Sequence, residues 1–282
     1  MPMLELDAAM ICYERAGAGP QLLQIGGSGG DLRRAPSALA WPGAERFDQI
    51  AYDHRGLGRS RAAGPDAQPS MADFAADALA LIDHLGWQRF ALLGISFGGM
   101  VAQEVAIRAR ERVARLVLAC TSSGGAGGAS APLHAIASLP APQRTARMVE
   151  LIDARTREDP ALRASLTALV EERGEPDQRL AQANARQLEA RRHHDTWDRL
   201  GQVRAPTLVA AGRHDGIAPL GNARGLAARI AGARLEVFEG GHSFLAQDAR
   251  AWPLVAEFLA GGEQRAQRVD AVPDLDEARR ER

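Results

Sequence analysis

The segment FALLGISFGGMVAQE, residues 90–104, gives the clearest indication of the fold. It begins as a short apolar run of the kind that forms a buried strand, and a helical pattern starts directly after it. Between the two stands the pattern G-x-S-x-G, centred on Ser96. A serine on such a sharp strand-to-helix turn presents its hydroxyl above a sheet, and the flanking glycines let the turn close without a Cβ clash. Ser96 is therefore the predicted nucleophile, with an ordinary Gly–Ser turn as the alternative.

A second G-x-S-x-G pattern, centred on Ser28, competes with the first. It also follows an apolar run, at residues 21–25, but the residues after it, DLRRAP at 31–36, have the composition of a loop. Because a nucleophile elbow requires a helix directly after the turn, Ser96 fits this role and Ser28 does not.

A serine hydroxyl is a weak nucleophile at neutral pH, so it needs a neighbouring base, and the base needs a carboxylate to orient it. Asp215 follows the predicted strand at 207–211, and His242 follows the predicted strand at 235–239 through two glycines. Both follow Ser96 in the chain, with the aspartate before the histidine. This is the order expected when the nucleophile stands on a strand-to-helix turn of an α/β sheet. Each stands where the carboxyl end of a strand meets a loop, so separate strands can bring them together. Simpler readings are a turn or N-cap role for Asp215 and a solvated side chain for His242.

Short apolar segments alternate with helical patterns along most of the chain, which predicts an α/β fold with a mostly parallel, doubly wound sheet. The first two segments, at 4–8 and 10–15, favour an opening antiparallel hairpin. The other predicted strands cover residues 21–25, 49–53, 90–94, 115–120, 207–211 and 235–239, and the helical patterns cover residues 71–85, 97–110 and 248–259.

The alternation stops between residues 124 and 200, where a Gly/Ser/Ala-rich stretch precedes charged amphipathic helices separated by prolines. We interpret residues 124–200 as a helical lid inserted over the carboxyl edge of the sheet, with residues 1–123 and 201–262 forming the α/β core. Residues 263–282 are charged and poor in apolar side chains, which predicts a flexible tail.

The composition argues against several functions. All 34 basic residues are arginine, so the chain has no lysine for a phosphate-binding loop, a Schiff base or a general base. A formal net charge of −1 argues against binding of nucleic acid or acidic membranes. Two cysteines are too few for a disulfide scaffold, and neither a secretory signal nor a membrane-length apolar run is visible, so a cytoplasmic location is expected. No metal motif accompanies His193, His194 and Asp195, and no metal is expected.

Several motifs together resemble the α/β-hydrolase family. They are GISFGGMVAQ at 94–103, DHRGLGRS at 53–60, GRHD at 212–215 and GGH at 240–242. The D-x-R-G-x-G-x-S loop is similar to that of 3-oxoadipate enol-lactonases, small carboxylesterases and cofactor-free haloperoxidases. The resemblance runs from about residue 4 to residue 259. It implies the α/β-hydrolase fold, a triad of Ser96, His242 and Asp215, and no cofactor.

The resemblance also implies an oxyanion hole formed by two backbone N–H groups. One is that of Phe97, the residue after the nucleophile, and the other comes from the early Gly-rich loop, where Ser28 is the matching donor and Gly27 the alternative. That loop lacks the histidine that many members carry there. The loop at 53–60 is expected to shape the pocket wall. Gly27, and His194 at the end of the lid, are expected to line the pocket.

The activity that the resemblance implies is cleavage of a small-molecule ester or lactone through an acyl-enzyme on Ser96. A serine in place of aspartate at this position counts against haloalkane dehalogenase and epoxide hydrolase chemistry. Perhydrolysis and carbon–carbon bond cleavage with the same triad stay open, as does a non-catalytic ligand-binding receptor on the same fold. The patterns predict neither the identity of the substrate nor an oligomeric state.

Overall fold

The structure, a computed structural model, describes residues 1–62, 64, 68–172, 174 and 176–261. Within these ranges nine strands form one sheet: β1 (Met3–Leu6), β2 (Ala9–Ala16), β3 (Gln21–Ile25), β4 (Asp48–Tyr52), β5 (Arg61–Ala62), β6 (Phe90–Ile95), β7 (Val113–Ala119), β8 (Thr207–Gly212) and β9 (Arg234–Phe238). The helices are α1 (Met71–His84), α2 (Phe97–Arg108), α3 (Leu133–Ala137), α4 (Ala141–Ile152), α5 (Pro160–Glu172), α6 (Gln178–Arg192), α7 (Leu220–Arg229), α8 (Phe244–Gln247) and α9 (Ala251–Leu259). None of the helices in the described part of the chain is both long and apolar enough to cross a membrane.

The sheet reverses its winding between β3 and β6. Its strand order is β1-β2-β4-β3-β6-β7-β8-β9, with β5 paired to β2. Strand β2 is antiparallel to β1, β4 and β5, and every pair from β4 to β9 is parallel. At such a reversal the loops after the two neighbouring strands diverge and leave a crevice, which is where open α/β sheets bind ligands. The loop after β3 carries Ser28 and the turn after β6 carries Ser96, so the fold brings the two serine patterns side by side.

Strand β6 explains why the strand segments are continuously apolar. Leu92 packs into the cluster that β6 shares with α1 and α2, whereas Leu93 packs into the cluster on the other face, with Val255 and Phe258 of α9. Both leucines are fully buried. A fully buried leucine stabilises a fold by about 2 kcal/mol relative to an exposed one, so both faces of the strand must be apolar.

The predicted mostly parallel, doubly wound sheet with an opening antiparallel hairpin is confirmed. The helix predicted at 248–259 corresponds to α9, which begins later than predicted, at Ala251, and the short helix α8, which ends at Gln247, was not predicted. Asp248 is extended between them, and its carboxylate accepts the N–H groups of Glu239 and Arg250. The pattern analysis missed β5, which has two residues and therefore no periodicity to read.

Helices α3 to α6 lie between β7 and β8 in the chain. They pack partly on one another through an apolar cluster formed by Ile136, Val149, Leu151, Ile152, Leu166 and Ile217. Arg179 of α6 ties this region to the core, because its guanidinium donates to the carbonyl oxygens of Gly56 (2.9 Å) and Gly58 (2.8 Å). A lid comprising residues 124–200 stays a prediction, and the tail predicted at 263–282 lies outside the described residues.

Replacement of Gly98 by alanine is expected to destabilise the protein. The added Cβ would stand 2.0 Å from the carbonyl oxygen of Ile25, so the backbone of α2 or β3 would have to move. We expect the free energy of unfolding to fall by about 3 kcal/mol. Gly221→Ala is the matched control, because Gly221 is also the second residue of its helix and a Cβ there meets open space. Urea unfolding followed by circular dichroism compares the two variants, and equal stability would contradict the close approach.

Candidate active site

Ser96 is held in a strained turn between β6 and α2. Its φ of 56° and ψ of −116° lie outside the regions that L-residues usually adopt. Among the non-glycine residues that the structure describes, only Ser96 and Cys120 have a positive φ. The flanking glycines make the turn possible, since a Cβ on Gly94 would stand 2.5 Å from the carbonyl oxygen of Gly98. The N–H of Ser96 donates to the carbonyl oxygen of Ala119 (2.8 Å), which fixes the turn on β7.

Three side chains singled out by the sequence meet at the carboxyl edge of the sheet. The Nε2 atom of His242 lies 2.9 Å from Oγ of Ser96, and the Nδ1 atom lies 2.8 Å from Oδ2 of Asp215. They follow β6, β8 and β9, which are separate parallel strands. A hydroxyl, an imidazole and a carboxylate in this order can turn the serine oxygen into a nucleophile.

The loop around Asp215 orients its carboxylate. The side chain is fully buried, and Oδ1 accepts the N–H groups of Ile217 and Ala218, each at 2.8 Å. This leaves Oδ2 to accept a proton from Nδ1 of His242. With the proton on Nδ1, the lone pair of Nε2 faces the hydroxyl of Ser96. The loop therefore selects the tautomer of the imidazole that can act as a base.

The loop that carries His242 is held by the end of α4. The N–H of His242 donates to the carbonyl oxygen of Ile152 (2.6 Å), and a Cβ on Gly241 would stand 1.9 Å from the same oxygen. Gln247 adds a second connection, because its Oε1 accepts the N–H of Gly241 (2.8 Å) and its Nε2 donates to Asp153 (3.0 Å). The position of the imidazole thus depends on α4 as well as on the sheet.

The Gly-rich loop after β3 lies against Ser96. A Cβ on Gly27 would stand 3.5 Å from Cβ of Ser96, which is ordinary contact distance. Phe97 is the first residue of α2, where N–H groups have no partner within the helix. The Ser28 hydroxyl is buried with no hydrogen-bond partner among the described residues. The structure brings Phe97 and the loop that contains Gly27 and Ser28 to the same serine, and their oxyanion role stays a prediction.

His54, which the sequence analysis did not select, braces this loop. Its Nε2 donates to the carbonyl oxygen of Gly26 at 3.0 Å, and its ring packs edge-on against Phe97 with 5.2 Å between centroids. Burial lowers the pKa of His54 to about 4, although the bond to Gly26 opposes this change. The ring is therefore neutral at neutral pH. Its place directly after β4, the neighbour of β3, is the signal that could have identified it.

The loop at 53–60 is held by hydrogen bonds and an ion pair within the protein, and its role in shaping the pocket wall stays a prediction. The carboxylate of Asp53 accepts the N–H groups of Leu32 (2.7 Å) and Arg59 (2.8 Å). Arg55 forms an ion pair of 2.6 Å with Asp77, and both side chains are buried. These bonds connect the loop to Leu32, which follows the Gly-rich loop, and to α1, which contains Asp77.

Helix α6 turns polar side chains inward. Gln187 is 1% exposed, and its Oε1 accepts the N–H of Gly29 at 2.9 Å. Arg191 is 7% exposed and donates to the carbonyl oxygen of Ala131 at 2.7 Å. Oδ1 of Asn184 and Nε2 of Gln187 are buried with no partner among the described residues. Sequence reasoning missed these residues, and their helical spacing is the signal that could have grouped them.

His194 lies buried just beyond α6 and is 5% exposed. Burial lowers the pKa of its ring to about 4, with the nearby Glu104 carboxylate opposing this change. The carboxylate of the next residue, Asp195, accepts the N–H of Trp197, and the exposed His193 contacts Glu189 instead. Within the described ranges no group of three His, Cys, Asp or Glu side chains could hold a metal ion. A pocket-lining role for His194 stays a prediction.

The neutral state of His54 predicts that stability depends on pH. Folding lowers its pKa from 6.5 to about 4, so between these values the unfolded chain binds a proton that the folded chain does not. The free energy of unfolding should therefore fall as the pH drops from 6.5 towards 4. His54→Leu should reduce this fall by about 3 kcal/mol, since one pKa unit corresponds to about 1.4 kcal/mol.

Urea unfolding at a series of pH values measures this dependence. His84→Leu, at an exposed histidine, is the control and should keep the slope of the unmodified protein. Buried His194 contributes a fall of the same sign, so the slope of His54→Leu should be smaller without vanishing. Identical slopes for His54→Leu and His84→Leu would show that His54 is not held neutral.

Comparisons with known proteins agree with this architecture. A model of the alpha/beta hydrolase fold family matches residues 24–249. The poly(3-hydroxyalkanoate) depolymerase of Ectopseudomonas oleovorans is 31% identical over 258 residues, covering 87% of this chain and 86% of that protein. Among solved structures, a hydrolase from Pseudomonas aeruginosa PA01 has a TM-score of 0.73 and 27% identity, covering 93% of this chain and 98% of the other. Est816, described as an N-acyl homoserine lactone degrading enzyme, has a TM-score of 0.70 and 26% identity. The match covers 91% of this chain and 100% of the Est816 chain.

These matches confirm the resemblance that the motifs indicated. The family match spans most of the chain, from the end of β3 to the residues just before α9, and includes the loops that carry Ser96, Asp215 and His242. The relatives are themselves named as hydrolytic enzymes. The chain belongs to the α/β-hydrolase family and is an α/β-hydrolase enzyme.

Proposed function

We propose that this chain is a serine hydrolase that cleaves a carboxylic ester or lactone of a small molecule through an acyl-enzyme on Ser96. The observation that carries the proposal is the unbroken line of hydrogen bonds from Asp215 through His242 to the Ser96 hydroxyl. Such a line activates a serine as a nucleophile at neutral pH, because the imidazole accepts the hydroxyl proton and the carboxylate orients the imidazole.

In the first half of the reaction, Nε2 of His242 accepts the hydroxyl proton as Oγ of Ser96 attacks the carbonyl carbon of the substrate. The imidazolium that forms is stabilised by Asp215, which stays ionised. The carbonyl oxygen becomes an oxyanion, and the proposed donors to it are the N–H of Phe97 and an N–H of the Gly-rich loop, from Ser28 or Gly27. The position of Phe97 directly after Ser96 and the contact of Gly27 with Ser96 support this role.

In the second half, the tetrahedral intermediate collapses, the bond to the alkoxy oxygen breaks, and His242 donates its proton to that oxygen. The alcohol, or the open hydroxyl end of a lactone, is released from the carbonyl carbon. Water then gives a proton to His242 and adds to the acyl-enzyme, and breakdown of the second intermediate returns that proton to Oγ of Ser96. The products are a carboxylic acid and an alcohol.

The names of two relatives support an ester or lactone as the substrate. Poly(3-hydroxyalkanoates) are polyesters, and an N-acyl homoserine lactone contains a cyclic ester. Perhydrolysis and carbon–carbon bond cleavage use the same three groups, and a receptor would bind without turnover. A panel of acyl esters and lactones, peroxide-dependent halogenation with acetate, and a search for stoichiometric binding distinguish these alternatives.

Ser96→Ala is expected to lower kcat for 4-nitrophenyl ester hydrolysis by at least about 10³-fold, because no other nucleophile replaces the lost oxygen. A fluorophosphonate probe should label Ser96 in the unmodified protein and should not label the variant. Ser28→Ala is the matched control, since it keeps the backbone N–H and should keep both the label and turnover. Near-normal turnover by Ser96→Ala, or a label that maps to Ser28, would refute the assignment.

Asp215→Asn is expected to lower kcat by about 10⁴-fold, the scale measured for the equivalent change in a protease. The N–H groups of Ile217 and Ala218 would hold the amide oxygen, so the amide nitrogen would face His242. Nδ1 of the imidazole would then accept instead of donating, and Nε2 would carry the proton. Steady-state kinetics measure the loss, with Asp195→Asn, at an exposed aspartate, as the control. A loss below tenfold would mean that Asp215 does not set the tautomer.

A further inference from the structure

Arg191 is a buried cation with no carboxylate partner among the described residues. It is 7% exposed, and its hydrogen bond is to the carbonyl oxygen of Ala131, at 2.7 Å. No carboxylate oxygen in the described part of the chain lies within 4.0 Å of its guanidinium. By contrast, Arg55, whose side chain is 9% exposed, forms an ion pair of 2.6 Å with Asp77. A buried charge without a counter-ion is costly, so its retention points to a ligand that supplies the negative charge.

The position of Arg191 places this charge beside the proposed catalytic loop. The residue that it binds, Ala131, donates its own N–H to the carbonyl oxygen of Ile217 at 2.7 Å, and the N–H of Ile217 donates to Asp215. Burial lowers the pKa of Arg191 to about 10, with the charge of Asp215 opposing this change. The guanidinium therefore stays charged at neutral pH and lies within the electrostatic field of Asp215.

Asp215 cannot serve as the missing counter-ion. Its Oδ1 already accepts two N–H groups, and its Oδ2 faces Nδ1 of His242. Moving this carboxylate to Arg191 would break the line of hydrogen bonds to Ser96. The positive charge on Arg191 is thus left for a group outside the described chain.

Gln187 presents a second donor on the same face of α6, one helical turn before Arg191. It is 1% exposed, and its Oε1 is engaged by the N–H of Gly29 in the loop that contacts Ser96. Its Nε2 is buried and has no partner among the described residues. An unpaired buried amide N–H costs about 1–3 kcal/mol, which a ligand oxygen would recover.

We propose that Arg191 and Gln187 form a carboxylate-binding subsite, so that the preferred substrate is an ester or lactone that carries a free carboxylate besides its scissile carbonyl. The proposal rests on the function proposed for Ser96. A guanidinium offers paired donors that match the two oxygens of a carboxylate, and the Gln187 amide can bind one of the same oxygens. Because the chain has no lysine, a permanently charged side chain that binds a carboxylate has to be an arginine.

The test compares matched pairs of esters at constant ionic strength. One pair is 4-nitrophenyl hydrogen glutarate and 4-nitrophenyl pentanoate, with the carboxylate on the acyl side. The other is 4-acetoxybenzoate and 4-methylphenyl acetate, with the carboxylate on the alcohol side. The measured quantity is the ratio of kcat/KM for the charged ester to that for the neutral ester, in the unmodified protein, Arg191→Gln and Arg192→Gln. Arg192 is the control, since it is the exposed neighbour that pairs with Glu189.

In at least one pair, the unmodified protein should favour the charged ester, and Arg191→Gln should lower the ratio about 10- to 100-fold, the scale of one charged hydrogen bond. Arg192→Gln should leave the ratio unchanged. If Arg191 only braces the helix, Arg191→Gln lowers both rates equally, and an unchanged ratio in both pairs overturns the proposal. Failure of Ser96→Ala to reduce turnover would instead overturn the proposed function, so the two failures are distinguishable.

A measurement on the unmodified protein covers the case in which Arg191→Gln does not fold. Glutarate should competitively inhibit hydrolysis of 4-nitrophenyl pentanoate, whereas glutaramide, which has the same length without the charge, should inhibit at least about tenfold less. Equal inhibition by the two compounds would overturn the proposal of a carboxylate subsite. So would the absence of inhibition by either compound at concentrations far above the KM for 4-nitrophenyl pentanoate.

Discussion

The close approach of α2 to the end of β3 is the constraint on which the rest of the site depends. Gly98 lacks a Cβ, and only for this reason can the first turn of the helix lie against the carbonyl oxygen of Ile25. This approach leaves Ser96 with a positive φ that raises its side chain out of the turn. It also sets the Gly-rich loop beside that serine, at the point where the sheet winds in two directions.

Both the sheet and the helices between β7 and β8 position the residues of the site. The sheet positions the nucleophile, but the loop of His242 is bonded to the end of α4 through Ile152. The Gly-rich loop is bonded to α6 through Gln187 and Gly29. Both loops therefore have one connection to the sheet and one to the helical segment, which makes the geometry of the site sensitive to both.

The sequence predicted the parts of this structure whose causes are local. An apolar run, a glycine turn and a helical pattern follow one another around Ser96, and Asp215 and His242 each follow a strand, so chain order and strand ends were enough to group them. The inward residues of α6 were not predictable in this way. Its buried positions include Gln187 and Arg191 as well as small and apolar residues, so no hydrophobic stripe marks the inner face. The role of His54 likewise depends on the pairing of β3 with β4, which joins distant segments.

The bond from the N–H of His242 to the carbonyl oxygen of Ile152 bears on how members of such a family can diverge. A main-chain acceptor is the same for every amino acid, so substitution at position 152 leaves it intact as long as the side chain suits its apolar cluster. An insertion or deletion near the end of α4 would instead displace the carbonyl and, with it, the imidazole. Natural variation, and exchange of the segment between β7 and β8 among homologues, are thus constrained here in chain length more than in residue identity, and a transplanted segment must keep the native length up to Asp153.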